Sequence, residues 1–100
     1  MFRATTPTHV FELPFEANLV KTIQITYQQE GKTILQKTEA DCTMTENAIK
    51  AVLTQEETLK FDAGKWVYIQ LRIVTAGGQV MASQIEKRLP KACLDEEVLG

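Results

Sequence analysis

Trp66-Val67-Tyr68-Ile69-Gln70-Leu71-Arg72-Ile73-Val74-Thr75, followed by Ala76-Gly77-Gly78-Gln79 and the run from Val80 to Arg88, decides the fold. Val67, Ile69, Leu71 and Ile73 alternate with Trp66, Tyr68, Gln70 and Arg72, the period-two pattern of a strand that lays one face on a core. Paired glycines accept the positive φ values of a primed turn, so Ala76 to Gln79 predicts a tight hairpin. The chain then returns antiparallel from Val80 to Lys87 or Arg88, and Pro90 ends the strand.

Upstream of this hairpin, Asp62-Ala63-Gly64-Lys65 reads as a turn and Thr54-Gln55-Glu56-Glu57 as a capping box, in which Thr54 accepts from the Glu57 amide while Glu57 reaches back. Glu46 to Lys60 is rich in helix formers and fits a 3.6 period as well as an alternating one. The capping box decides for a strand over Ala48 to Leu53, with Ile49, Ala51 and Leu53 inward, then one turn of helix, after which Leu59 and Phe61 turn towards the core. Asp41 to Met44 adds a short strand. Leu19 to Gln28 puts Leu19, Ile23, Ile25 and Tyr27 on one face, and a turn at Gln29-Glu30-Gly31-Lys32 leads into a returning segment, Thr33 to Thr38. Thr8 to Leu13 alternates, with His9, Phe11 and Leu13 together, and Pro14 marks it as an edge strand. Six or seven short strands at roughly 8 to 12 residue spacing, with one short helical turn, predict an all-β, immunoglobulin-like antiparallel β-sandwich. Residues 1–90 form the sandwich in this reading, with Ile25, Leu53, Ile69, Leu71 and Ile73 in its core, and residues 91–100 a mobile C-terminal tail.

The length of 100 residues, with 44% hydrophobic letters, suits one domain that folds alone on a single core. Eleven Lys and Arg against thirteen Asp and Glu give no electrostatic reason to expect nucleic acid or an anionic membrane as partner. The longest unbroken hydrophobic run is Trp66 to Ile69, and the first residues lack an apolar signal-like stretch. The expectation is therefore a chain made in the cytoplasm. Cys42 and Cys93 are too few and too far apart for a structural zinc site, and without an export signal they are expected as free thiols, a disulfide being the other possibility. His9 reads as a packed strand residue. Trp66 does lie between the two cysteines, as in antibody domains, but Cys93 falls beyond the last strand.

No chemistry-bearing motif stands out. Glu56-Glu57 and Asp95-Glu96-Glu97 sit in a first helical turn and a tail, where carboxylates favour the helix dipole or solvent rather than an acid/base pair. Gly77-Gly78 is explained by the hairpin. The reading is no enzyme, no cofactor and no metal. The informative residues are those on the non-core face of the long strand, Trp66, Tyr68 and Arg72, because Trp, Tyr and Arg are enriched at interface hot spots. Equally, an aromatic there can cover a loop or close an end of the core. Leu94, Val98 and Leu99 are apolar tail residues interspersed with acids, a second candidate for partner contact.

Phe11-Glu12-Leu13-Pro14-Phe15, Ile25-Thr26-Tyr27, Leu53-Thr54-Gln55-Glu56-Glu57-Thr58 and Cys93-Leu94-Asp95-Glu96-Glu97-Val98 resemble small phage and prophage proteins of Gram-positive bacteria. The Leu-Thr-x-Glu-Glu-Thr step is similar to the immunoglobulin-like domain at the N-terminus of phage baseplate proteins. That resemblance implies a non-enzymatic structural or assembly protein, a small tail or baseplate-associated module whose partners are other phage structural proteins or copies of itself, including a homo-oligomer. It places the chain in the host bacterial cytoplasm when synthesised, and in the virion if it is a tail part. The alternative is a prophage-encoded cytoplasmic binding or regulatory protein acting on a host or phage protein. Both readings use the same protein-binding residues, Trp66, Tyr68, Arg72, Leu94, Val98 and Leu99, combined with a strand edge or the tail, and deletion of the tail is expected to leave the melting temperature nearly unchanged.

Overall fold

A computed structural model describes residues 1–100. Eight strands occur in the order β1 (Thr8–Glu12), β2 (Val20–Gln29), β3 (Lys32–Thr38), β4 (Cys42–Thr45), β5 (Ala48–Val52), β6 (Val67–Thr75), β7 (Val80–Ala82) and β8 (Glu86–Arg88), with a single helical turn α1 (Gln55–Thr58) and two 3-10 turns, Ala17–Leu19 and Glu39–Asp41. One sheet has the order β1-β5-β4, and the other β3-β2-β6-β7 with β8 also paired to β6. Every pairing between strands is antiparallel.

This order is that of a variable-type immunoglobulin sandwich, in which one sheet runs A-B-E-D and the other carries G, F, C and C′. The strands β1, β5 and β4 take the places of B, E and D. Correspondingly, β3, β2 and β6 take those of C′, C and F, and β7 with β8 that of G. No strand of residues 1–100 occupies the place of A, so β1 is left as an edge.

The inward faces form one core. Phe11 and Leu13 from the β1 side, Ile49, Ala51 and Leu53 from the β5 side, Ile23, Ile25 and Tyr27 from β2, and Val67, Ile69, Leu71 and Ile73 from β6 are all buried together with Phe61. Alternation places them there, as the sequence predicts, and the five core residues named above are among them. The capping box closes as expected: the Thr54 hydroxyl accepts from the Glu57 amide at 3.1 Å and the Glu57 carboxylate accepts from the Thr54 amide at 2.8 Å.

Three details differ from the sequence reading. Leu19 faces solvent and Val20 is buried instead, because the 3-10 turn holds Leu19 outside the strand and a register shift between Val20 and Thr22 changes which residues point inward. Gly78 alone of the glycine pair has a positive φ (84°). The hairpin is a turn closed by Gly78 N–H on Thr75 O at 2.9 Å, followed by a left-handed glycine, a three-residue loop rather than a two-residue primed one. The loop between β2 and β3 does have positive φ at both Glu30 (51°) and Gly31 (76°), the primed geometry. Finally, the predicted last strand is two strands. Leu71 N–H donates to the Ser83 hydroxyl (3.0 Å) where a ladder carbonyl would stand, Ser83 N–H returns to Leu71 O (2.8 Å), and the chain leaves the sheet until Glu86. The count is therefore eight strands.

Candidate protein-binding site

Because Val67, Ile69, Leu71 and Ile73 point inward, Tyr68, Gln70 and Arg72 stand on the outer face of β6. Opposite them on β2 are Gln28, Thr26 and Gln24, and β3 brings Gln36 opposite Thr26 and Thr38 opposite Gln24. The result is a broad lattice of amides and hydroxyls. Gln28 donates to the Thr33 hydroxyl (3.2 Å), Gln36 to that of Thr26 (3.4 Å), and Gln70 to Ser83 O (3.0 Å).

One corner of this face is different. Trp66 immediately precedes β6 and is 46% exposed, and Tyr68 beside it is 42% exposed. Lys87 on β8 lies opposite Tyr68 and carries its ammonium 5.0 Å from the centre of the Trp66 ring. A cation over the indole face is attracted by the ring quadrupole. Lys87 is not among the residues singled out from the sequence. The three-residue loop pairs Val74 with Val80, a register that by itself would set Glu86 opposite Tyr68. The departure at Ser83–Ile85 shifts it by one residue to Lys87, the partner a two-residue Gly77-Gly78 turn would also give. Arg72 shares the face but lies four residues further along the strand, about 13 Å away at 3.3 Å per residue. Trp66, Tyr68 and Lys87 thus form one group, and Arg72 stands apart from it.

The tail residues form a separate feature. Lys91 N–H donates to Met1 O (2.8 Å) and Lys91 O accepts from Arg3 N–H (2.9 Å). The Arg3 guanidinium reaches Glu96 at 2.6 Å and Leu59 O at 3.2 Å, while the Gln55 amide brackets Leu99, donating to its carbonyl (2.7 Å) and accepting from its N–H (2.8 Å). The tail has no strand or helix, yet it is tied to the N-terminal segment and to α1. Leu94 and Leu99 project into solvent, and Val98 is partly covered. No hydrogen bond or ring contact joins Leu94, Val98 or Leu99 to Trp66, Tyr68 or Arg72.

The ionisable groups inside the sandwich serve packing. His9 is buried and shares a hydrogen bond of 2.9 Å with the Tyr27 hydroxyl. Desolvation, helped by Arg88 and the chain's amino terminus, lowers its pKa to about 4, so the imidazole is neutral at pH 7. Burial likewise pushes the Tyr27 phenol and the Cys42 thiol up, keeping both protonated. Burial opposes ionisation of Glu57, but the Lys37 ammonium at 2.7 Å and the hydrogen bonds from Thr54 outweigh it and hold that carboxyl below its usual range. Cys42 and Cys93 are free, and the Cys93 thiol donates to Arg3 O at 3.1 Å. No three His, Cys, Asp or Glu side chains are grouped to hold a metal ion, and no helix is long and apolar enough to cross a membrane.

No protein family and no curated protein matches the sequence. Among solved structures the chain is similar to the V domain of amphioxus IgVJ-C2, at 12% identity over 91% of this chain and 95% of that one, with a TM-score of 0.37. Strand order and antiparallel register by themselves make the sandwich immunoglobulin-like.

Proposed function

We propose that this chain is a non-enzymatic interaction module, working as a structural or assembly part of a phage tail or baseplate and binding neighbouring virion proteins or copies of itself. The observation that carries this reading is the corner of Trp66, Tyr68 and Lys87: two half-exposed aromatics and a cation on the rim of a flat, hydrogen-bonding sheet face. Aromatic anchors set in a polar surround are the usual composition of a reversible protein interface. The phage setting draws its support from the resemblance of Leu53–Thr58 and the tail sequence to phage proteins.

The test is a Trp66→Ala, Tyr68→Ala double variant studied by light scattering and thermal melting. Loss of self-association or of partner binding, with the melting temperature unchanged, supports the proposal; unaltered association refutes it. Genes for tail proteins beside this one support the structural role, whereas lysogeny genes support a cytoplasmic binder using the same corner.

A further inference from the structure

A second surface lies on the opposite sheet. Leu13 N–H donates to Asn47 O (2.7 Å) and Leu53 N–H to Pro7 O (3.0 Å). These bonds fix the odd-numbered residues of β1 as those that bond to β5. In an antiparallel pair such residues alternate with ones whose N–H and C=O point the other way, so the backbone groups of Thr8, Val10 and Glu12 point away from β5. No strand and no side chain meets them. Beside this free edge runs a groove of about 520 Å³, floored by Phe11, Leu71, Ile73 and Met81 and bounded on its far side by Ser83–Glu86. It lies on the side of β1 where strand A of an immunoglobulin domain would pair. Residues 1–7 do not fill it, since Phe2 pairs with Lys91.

An edge with three unpaired residues beside an apolar trough is built to accept a strand: the backbone supplies hydrogen bonds and the trough receives every second side chain. The charge of the lining selects among strands. Glu12 makes no ion pair and Glu86 shares its carboxylate with Arg88, while none of the lining residues is a cation. We infer that the β1 edge and its groove bind an extended segment of another protein, apolar at alternate positions and carrying Lys or Arg at its flanks, which completes the sheet in the place of strand A. This rests on the reading of the chain as an interaction module but uses a surface apart from the Trp66 corner. The acidic tail of a second copy is a poor occupant, because Asp95, Glu96 and Glu97 would meet Glu12 and Glu86.

The probe is the synthetic peptide Lys-Val-Thr-Val-Thr-Val-Lys, followed through the amide spectra and hydrogen exchange of the whole protein. Free protein is expected to exchange the Thr8, Val10 and Glu12 amides fast and those of His9, Phe11 and Leu13 slowly; the peptide should protect the first three. Val10→Pro, which removes an unbonded N–H at an exposed position, should weaken binding at least tenfold, and Glu12→Lys, which leaves the backbone intact, several-fold. Trp66→Ala should leave peptide binding unchanged, so that failure of this inference and of the proposed function are told apart. Absence of binding, equal binding by Val10→Pro, or protection falling on Lys32–Thr38 would overturn it. So would protection of Thr8, Val10 and Glu12 that rises with protein concentration alone, which would make a second copy the occupant.

Discussion

The His9 imidazole on β1 and the Tyr27 phenol on β2 meet 2.9 Å apart across the sandwich, their rings 5.5 Å between centres, so that one hydrogen bond joins the two sheets inside the core. Tyr27 in turn lies against Phe61, which follows α1. In antibody domains a buried tryptophan on strand C packs against a disulfide between strands B and F. Here β1 and β2 stand for B and C, and a neutral polar pair does the pinning without sulfur.

That pair makes stability depend on acid. The unfolded chain takes up a proton on His9 near pH 6.5, while the folded chain refuses it until about pH 4. Folding stability should therefore fall as pH drops from about 6.5 to 4, by roughly 3 kcal/mol at the acid end from this group alone. Urea unfolding at a series of pH values measures it, and His9→Gln should flatten the slope over that window by close to one proton.

Tyr27→Phe keeps the ring and removes the hydroxyl, leaving a buried imidazole nitrogen without its partner. It should cost about 1 to 3 kcal/mol. A double-mutant cycle with His9→Gln should return most of that cost as coupling.

Leu71 touches both the core and the floor of the β1 groove, and its N–H anchors Ser83. Leu71→Ala should destabilise by roughly 2 to 5 kcal/mol. A melting temperature within error of the parent would show that the inward face of β6 is not packed as described.

The tail contacts put a size on the expectation that its deletion leaves the melting temperature nearly unchanged. Lys91 bonds to Met1 and Arg3, so truncation after Lys91 keeps those bonds and removes Arg3–Glu96 and Gln55–Leu99. These contacts are partly solvated, and their loss should cost about 1 kcal/mol, read as a small drop in the denaturant midpoint.

The sheets were legible because alternation is a local signal. Val67 to Ile73 and Ile49 to Leu53 show their inward faces without knowledge of the partner strand, and Thr54 with Glu57 marks the helical turn within four residues. What was hidden depends on register. The side of Leu19 and Val20 is set by a shift against β6, and the division of the last strand by a Ser83 hydroxyl that replaces a ladder acceptor, an exchange no propensity announces. With a three-residue loop at the hairpin, that division is what restores Lys87 to its place opposite Tyr68. The tail looked loose because its partners, Arg3 and Gln55, are distant in sequence, and its bonds are made by single side chains rather than by a repeating pattern.

Trp66 is the single tryptophan, so its fluorescence reads the proposed binding corner directly. The decisive measurement is acrylamide quenching of Trp66, taken with light scattering over a protein concentration series and on mixing with purified phage tail and baseplate proteins. The rise in mass should be accompanied by a blue-shifted emission and a fall in quenching, both lost when Tyr68→Ala prevents association. An assembly that forms while Trp66 stays as open to quencher as in the isolated chain, or a chain that remains monomeric and unchanged under every mixture, would contradict it.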